Sequence, residues 1–339
     1  LFVSFLVRSA RREDLQQLLE LARQFSLLNL PAEKKAIETK IERSIQSFAG
    51  DLGKAEAEYI FVVEDTEAEL VVGSSMIIAK NGTPTSPNFS FKVLKKERFS
   101  RELGVGFIHQ ILRLNTNTDG PTELGGLVVD RAYRRRPEKV GRMISLSRFV
   151  YIGMEPQRFE AELHSEMAPP LTDEGRSEFW EALGRRFTGM PYREADMISS
   201  QNNGFIQSLF PEEDIYLALL DAKARMVLGR VGEETQGALH LLNKIGFAYK
   251  DEVDPFDGGP HLRCATTENA IVKSTRKAKL KKTAGTEFKQ VALIGVTRDG
   301  IYNGTASSFQ MSGNEIVLPE KTWTALQLSE GEEIFFSPL

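Results

Sequence analysis

Three cations, Arg136, Lys139 and Arg142, surround the opening of an apolar helical pattern that follows directly on a short apolar run. Leu124 to Val129 is partly β-branched and of the length of a buried strand, and Asp130 to Arg136 is polar and turn-like. From there Val140, Met143, Ile144, Leu146, Phe149 and Val150 recur at three- and four-residue spacing, which predicts a helix with an apolar face. The first amides of a helix have no partner inside it, and the helix dipole is positive at that end, so such a start suits a diphosphate. The expected cradle is Val140, Gly141 and Arg142, fed by a strand that carries Leu127 and Val129.

Carboxylates are the other chemically able groups. Glu123 stands just before the strand, where it can relay a proton through water or simply occupy a strand edge. Glu233 and Glu234 open a predicted helix, a place where carboxylates also serve the helix dipole. Asp254 and Asp257 lie in the acidic turn Asp254-Pro-Phe-Asp-Gly-Gly-Pro260. Carboxylates pair with a guanidinium in a bidentate way, although an aspartate before glycine also makes turns.

The whole chain limits what these groups serve. Its 339 residues are enough for about two domains, each with its own core. A composition 41% hydrophobic and 27% charged, with net charge -4, is that of a globular protein without polycation character, so bulk charge gives no argument for nucleic acid. One cysteine, Cys264, excludes an internal disulfide framework and fits a reducing cytoplasm. The histidines, His109, His164, His240 and His261, are far apart along the chain and form no local zinc spacing with Cys264, so no metal is expected. No apolar run reaches the roughly 18 residues of a membrane helix, and Leu1 to Val7 reads as a first strand rather than a signal peptide.

Along the chain, Ser9 is a helix N-cap candidate, followed by Leu15, Leu18, Leu19, Ala22 and Phe25 at helical spacing. A second helix is expected from Ala32 to Phe48, with Ile37, Ile41, Ile45 and Phe48 on one face. Tyr59 to Glu64 and Val71 to Ala79 read as paired strands, and Phe89 to Leu94 as another. Residues 151–230 read as a helical insertion, with helices near Gln157 to Met167 and Ser177 to Phe187. Val231 to Tyr249 reads as loop, helix, a stop at Gly246 and a strand. The stretch Lys273 to Thr283, rich in Lys and Arg and without an acid, reads as a linker. Beyond it, Asp299-Gly300, Asn303-Gly304 and Ser312-Gly-Asn314 are hairpin signals, and Leu326 to Phe336 reads as a strand pair turning at Gly331. The expected domains are therefore 1–272, a basic linker 273–284 and a small all-β unit 285–339.

The spacing Arg136-x-x-Lys139-x-Gly141 resembles the acyl-CoA N-acyltransferase signature, with Lys139 at the position of its first glycine. Other segments resemble the bacterial arginine N-succinyltransferase family within that superfamily, over roughly residues 5–280. They are Val7-Arg-Ser-Ala-Arg-Arg-Glu-Asp-Leu15, Leu30-Pro-Ala32 with Ile41-Glu-Arg-Ser44, Arg101-Glu-Leu-Gly-Val105, Ser147-Arg-Phe149, Ser177-Glu-Phe-Trp180 with Leu183-Gly184, and Phe256-Asp-Gly-Gly-Pro260. The resemblance implies an α+β fold, a GNAT-like mixed sheet with flanking helices and a small barrel-like C-terminal β domain. It also implies transfer of a succinyl group from succinyl-CoA to the α-amino group of L-arginine in arginine catabolism, with CoA as co-substrate and no metal. Leu127 occupies the position the family uses to bind succinyl-CoA. The family's proton-donating histidine has its counterpart at Gly232, which implies a feeble enzyme or a substitute, with Glu233 and Glu234 the nearest candidates, and makes Gly232→His a test of what the chain lacks. A homo- or hetero-oligomer with a related subunit is expected, without nucleic acid or membrane. The alternative is a non-catalytic CoA-binding or regulatory subunit paired with an active relative.

Overall fold

The computed structural model describes residues 4–24, 31–199, 204–283 and 287–339. Residues 1–3 of the expected first strand, Phe25, Leu30 and the junction 284–286 lie outside them. The chain divides into two compact units, 1–80 with 122–161 and 265–339, and 81–121 with 162–264.

In the first unit the strands run in the order Gln290–Arg298, Glu333–Pro338, Arg276–Leu280, Glu315–Val317, Ile301–Ser312, Phe5–Ser9, Glu58–Asp65, Leu70–Ile78 and Thr122–Val129. Gln290–Arg298 also pairs with Ile301–Ser312, so the five C-terminal strands close into a small barrel. Its core holds Leu280, Ile294, Phe309, Ile316 and Phe336. The basic stretch is not a linker. Helix Ala270–Ser274 and strand Arg276–Leu280 occupy it, and the strand pairs antiparallel with Glu333–Pro338 and parallel with Glu315–Val317. Ala278 and Leu280 point inward while Lys277 and Lys279 face solvent, a period of two that a strand turns into one apolar face.

Helix Lys34–Ala49 takes the expected face inward with Ile37, Ile41 and Phe48, and ends at Gly50 with φ +88°. Two serines on that face, Ser44 and Ser47, accept the amides of Ile60 and Glu58 and so fix the helix on its strand. Ser9 lies in the first strand and caps nothing. A 3-10 turn, Arg12–Asp14, opens helix Leu15–Arg23 instead, tied by the buried ion pair of Arg8 and Asp14 at 2.7 Å.

In the second unit the order is Glu162–Glu166, Pro260–Ala265, Ala248–Val253, Asn88–Ser100, Val105–Asn117 and Ile215–Tyr216. Short helices from Glu178 to Val227 cover a core that includes Phe91, Phe179, Trp180, Phe210 and Phe256. Gln157 to Met167 is not a helix. Pro156–Arg158 is a 3-10 turn and Glu162–Glu166 is a strand beside Pro260–Ala265, so sheet pairing overrides the apparent helical spacing. Ser177 to Phe187 splits into two helices at Leu183, because Gly184 lies against Trp180, where a Cβ would approach the indole to 2.2 Å.

Among the hairpin signals, Asp299-Gly300 and Ser312-Gly-Asn314 turn the chain, but Asn303-Gly304 lies within a strand, where Gly304 makes room for the Tyr302 ring. Of the strand pair expected over Leu326 to Phe336, only the second strand forms, Glu333–Pro338; Leu326 closes the helix Glu320–Ala325 and no strand lies between it and Gly331. Among the described residues no helix is long and apolar enough to cross a membrane.

Candidate functional site

The strand Thr122–Val129 pairs antiparallel with Leu70–Ile78, with an irregularity between Ser74 and Met76. Val128 faces Ser74 and Gly125 faces Met76, so Gly126 and Leu127 oppose Ser75 alone. That is a bulge, and Gly126 takes it at φ +57° with Met76 so close that a Cβ would meet its Cγ at 2.8 Å. The bulge leaves Leu127 without a register partner in this ladder and half-buried.

Beneath the bulge lies Arg148, fully buried in helix Val140–Met154. Its guanidinium donates to the carbonyls of Met76 at 3.3 Å, Gly125 at 3.2 Å and Ser145 at 3.1 Å, and to Ser145 Oγ at 3.0 Å. Burial pushes its pKa down to about 9. The positive end of this side chain thus pins the two strands on either side of the irregularity.

The same helix begins where expected. Lys139 precedes it in left-handed conformation at φ +52°, the backbone that the signature's glycine would adopt without strain. Arg142 and Met143 donate to the Lys139 carbonyl, and among the described residues the Val140 and Gly141 amides have no backbone acceptor. Val129 lies behind them, its Cγ2 at 3.4 Å from where a Gly141 Cβ would stand. Lys139 and Arg142 are exposed, so the Lys139 side chain does not fill the cradle. Arg136 is held by its own bond to the Ala132 carbonyl at 2.8 Å and stacks over the Tyr133 ring at 3.9 Å. Glu138 opposes the cations in sign and buries a carboxylate oxygen with no hydrogen-bond partner among the described residues. Glu123 is buried on the strand at 5% exposure, not at an open edge.

In the second unit three segments converge. The Gly232 amide donates to Ala168 O at 2.8 Å, Gly229 N to Gly258 O at 2.8 Å, and Met167 N to Pro260 O at 3.2 Å. The turn around Asp254 is built by its own carboxylates. Asp254 Oδ1 accepts the amides of Phe256 at 2.7 Å and Asp257 at 2.9 Å, and Asp257 Oδ1 accepts that of Gly259 at 2.8 Å. Burial raises both above the usual carboxylate range, helped by the Glu166 charge at Asp254 and by the Asp254 charge at Asp257. Burial likewise lifts Glu166. Asp196, from helix Tyr192–Ser199, is pushed up to about 7 by burial and by Asp254. Asp196 and Glu166 belong to the same acidic neighbourhood, which the sequence pattern did not reveal.

An acid whose folded pKa is raised favours the folded state below its ordinary pKa, and that stabilisation is lost as pH rises through the folded value. Asp196→Asn therefore raises the melting temperature above pH 7, by about 1–3 kcal/mol of stability, and the gain vanishes toward pH 4. Thermal melts of both proteins across that range test it; an equal gain at pH 4 and pH 8 contradicts it.

Glu233, by contrast, is exposed in the 3-10 turn Glu233–Thr235, right after Gly232. Gly232 itself is confined, since a Cβ there would come within 2.9 Å of the Pro169 carbonyl. Gly232→His must displace that loop, and a forced side chain of this kind costs about 1–3 kcal/mol. The variant is expected to melt lower and to show no gain in turnover; a large gain with an unchanged melt would contradict the close approach.

Comparison with known proteins follows from this geometry. Residues 5–271 match the family described as arginine N-succinyltransferase beta subunit. The chain is 31% identical to a protein of Photorhabdus laumondii subsp. laumondii named arginine N-succinyltransferase, over 97% of this chain and 96% of that one. It is 34% identical to a protein of the same name from Shigella dysenteriae serotype 1, over 82% and 80%. The solved arginine/ornithine succinyltransferase subunit AI from Pseudomonas aeruginosa superposes with a TM-score of 0.87 at 25% identity, covering 99% of this chain and 98% of that one. The α+β class and the closed C-terminal barrel agree with that neighbour.

Proposed function

This chain belongs to the arginine N-succinyltransferase family, and we propose on that footing that it transfers the succinyl group of succinyl-CoA to the α-amino group of L-arginine. The observation that carries the reading is the helix start at Val140, where two amides without a backbone acceptor among the described residues meet three nearby cations at the end of a bulged strand. Val140, Gly141 and Arg142 hold the diphosphate of CoA, with Arg136 and Lys139 beside it, and Val129 and Leu127 line the pantetheine and acyl end.

The α-ammonium of arginine first loses a proton. The amine nitrogen then attacks the thioester carbonyl, the carbonyl oxygen takes up negative charge, and the C–S bond breaks as the amide forms. The Leu127 amide is the donor for that oxygen. The nitrogen gives up its second proton as the amide forms, and the leaving thiolate of CoA takes one up. Glu233 handles protons in place of the family histidine, supported by its position next to Gly232, and Glu123 relays through water from its strand.

Asp254 and Asp257 receive the guanidinium. Each has one carboxylate oxygen engaged by backbone amides, and a guanidinium would be taken up by the carboxylates of the two together. Because burial holds both above the usual range, the guanidinium competes with protons. The KM for arginine is expected to fall as pH rises from about 6 to 8, and Asp254→Asn to raise KM about tenfold or more and abolish that slope. Steady-state kinetics at several pH values test it; a slope kept in the variant assigns it elsewhere.

A cytoplasmic location accords with the single buried cysteine. Assembly with another subunit accords with the exposed apolar residues Phe99, Leu103, Phe107 and Ile108 around the tip of the hairpin Asn88–Ser100 and Val105–Asn117. Turnover itself is tested by incubating the chain with succinyl-CoA and L-arginine and following free thiol and the succinylated product by mass spectrometry. Thiol release no faster than in buffer removes the enzymatic reading.

A further inference from the structure

Two histidines that stand 97 positions apart in the chain meet on neighbouring strands of the second unit, His164 on Glu162–Glu166 and His261 on Pro260–Ala265. Their rings are 4.6 Å apart, edge to face, and exposed by 1% and 0%. Glu166 completes a triangle. Its Oε1 is 3.3 Å from His164 Nε2 and 3.7 Å from His261 Nε2, and one donor atom from each residue falls within 4.8 Å of the others.

We propose that His164, His261 and Glu166 form a binding site for a zinc-class divalent cation. Among the described residues, Nε2 of His261, the nitrogen that faces Glu166, is buried with no hydrogen-bond partner. A buried polar group left so costs about 1–3 kcal/mol, and a metal ion satisfies an imidazole lone pair directly. Tetrahedral zinc holds nitrogen and oxygen ligands at about 2.0–2.2 Å, so its donors stand about 3.3–3.5 Å apart, close to the spacing seen here. Burial keeps both imidazoles in the neutral form that ligates, and the Arg263 cation adds to this on each. That cation does not stand alone against a metal, because Glu162 at 2.5 Å and Glu252 at 2.7 Å flank its guanidinium. Asp254 adds a further carboxylate to the neighbourhood. Glu166 is the one open member, its side chain 31% exposed, which gives the ion its way in and leaves a fourth position for water.

The inference does not rest on acyl transfer, because zinc alone is the probe. The full chain is stripped with a chelator, dialysed against zinc and freed of loose ions by gel filtration, and bound metal is measured by mass spectrometry. The site predicts one zinc per chain and, with cobalt in its place, the intense visible bands of a four-coordinate ion. His261→Gln and Glu166→Gln are each expected to weaken zinc binding at least tenfold, a typical loss around metal sites. His240→Ala, at an exposed histidine, is expected to leave it unchanged. Circular dichroism of each metal-free variant shows whether it folds, and the zinc-induced rise in melting temperature gives a second readout for any that is weakened. Sub-stoichiometric zinc in the folded wild type, or wild-type zinc affinity in His261→Gln or Glu166→Gln, overturns the proposal. Loss of zinc in His240→Ala alone overturns it too, by placing the ion elsewhere.

Discussion

Replacing Gly126 by valine is expected to lower kcat about 10²- to 10³-fold while CoA still binds, the loss typical of removing one oxyanion donor. At φ +57° this residue turns the strand so that Leu127 escapes the ladder with Leu70–Ile78. A β-branched residue cannot keep that backbone, so valine returns the strand to an extended path and turns the Leu127 amide away. Asparagine tolerates the left-handed region, and Gly126→Asn is expected to retain most of the rate. Both side chains meet Met76, a flexible neighbour that can yield, so the contrast between them isolates the backbone. Single-turnover kinetics beside CoA titration make the comparison. Equal rates in the two variants would show that the donor lies elsewhere.

The second large effect belongs to the cations. Arg136→Ala, Lys139→Gly and Arg142→Ala together are expected to raise the KM for succinyl-CoA about 10²-fold, on the order of 1 kcal/mol for each exposed charge on a phosphate. A succinyl thioester of pantetheine alone, which lacks the diphosphate, should be turned over equally by both proteins. Added salt should narrow the difference for the full co-substrate, because exposed charges are screened. Lys139→Gly alone carries a separate signature. It removes a side chain from a left-handed position, so it is expected to stabilise the fold by about 1 kcal/mol even as a charge is lost. A melting temperature unchanged in that variant would mean that Lys139 is not strained.

The helix Val140–Met154 and the strand Thr122–Val129 were legible because burial of one face leaves a period that a window of a dozen residues displays. Helix Lys34–Ala49 was legible for the same reason. The outer half of the hairpin Asn88–Ser100 and Val105–Asn117 was not. Lys95, Glu97, Arg98 and Phe99 are exposed there, as are Phe107 and Ile108 opposite, so no face is buried and no pattern is imposed. Strand Arg276–Leu280 was hidden by its outward lysines, since the inward face shows only Ala278 and Leu280. Of the candidate site, the helix start at Val140 with its neighbouring cations could be read because it is local in sequence. The grouping of Glu166, Asp196 and Asp254, and the meeting of His164 with His261, come from strand and loop convergence across gaps of dozens of residues. No spacing within the chain encodes them.

The account depends most on where the diphosphate sits, and a crystal of the chain soaked with CoA measures it directly. The predicted result is density for the diphosphate within hydrogen-bond distance of the Val140 and Gly141 amides, with the pantetheine running toward Leu127. CoA bound at any other surface, with those two amides facing only water, would contradict it.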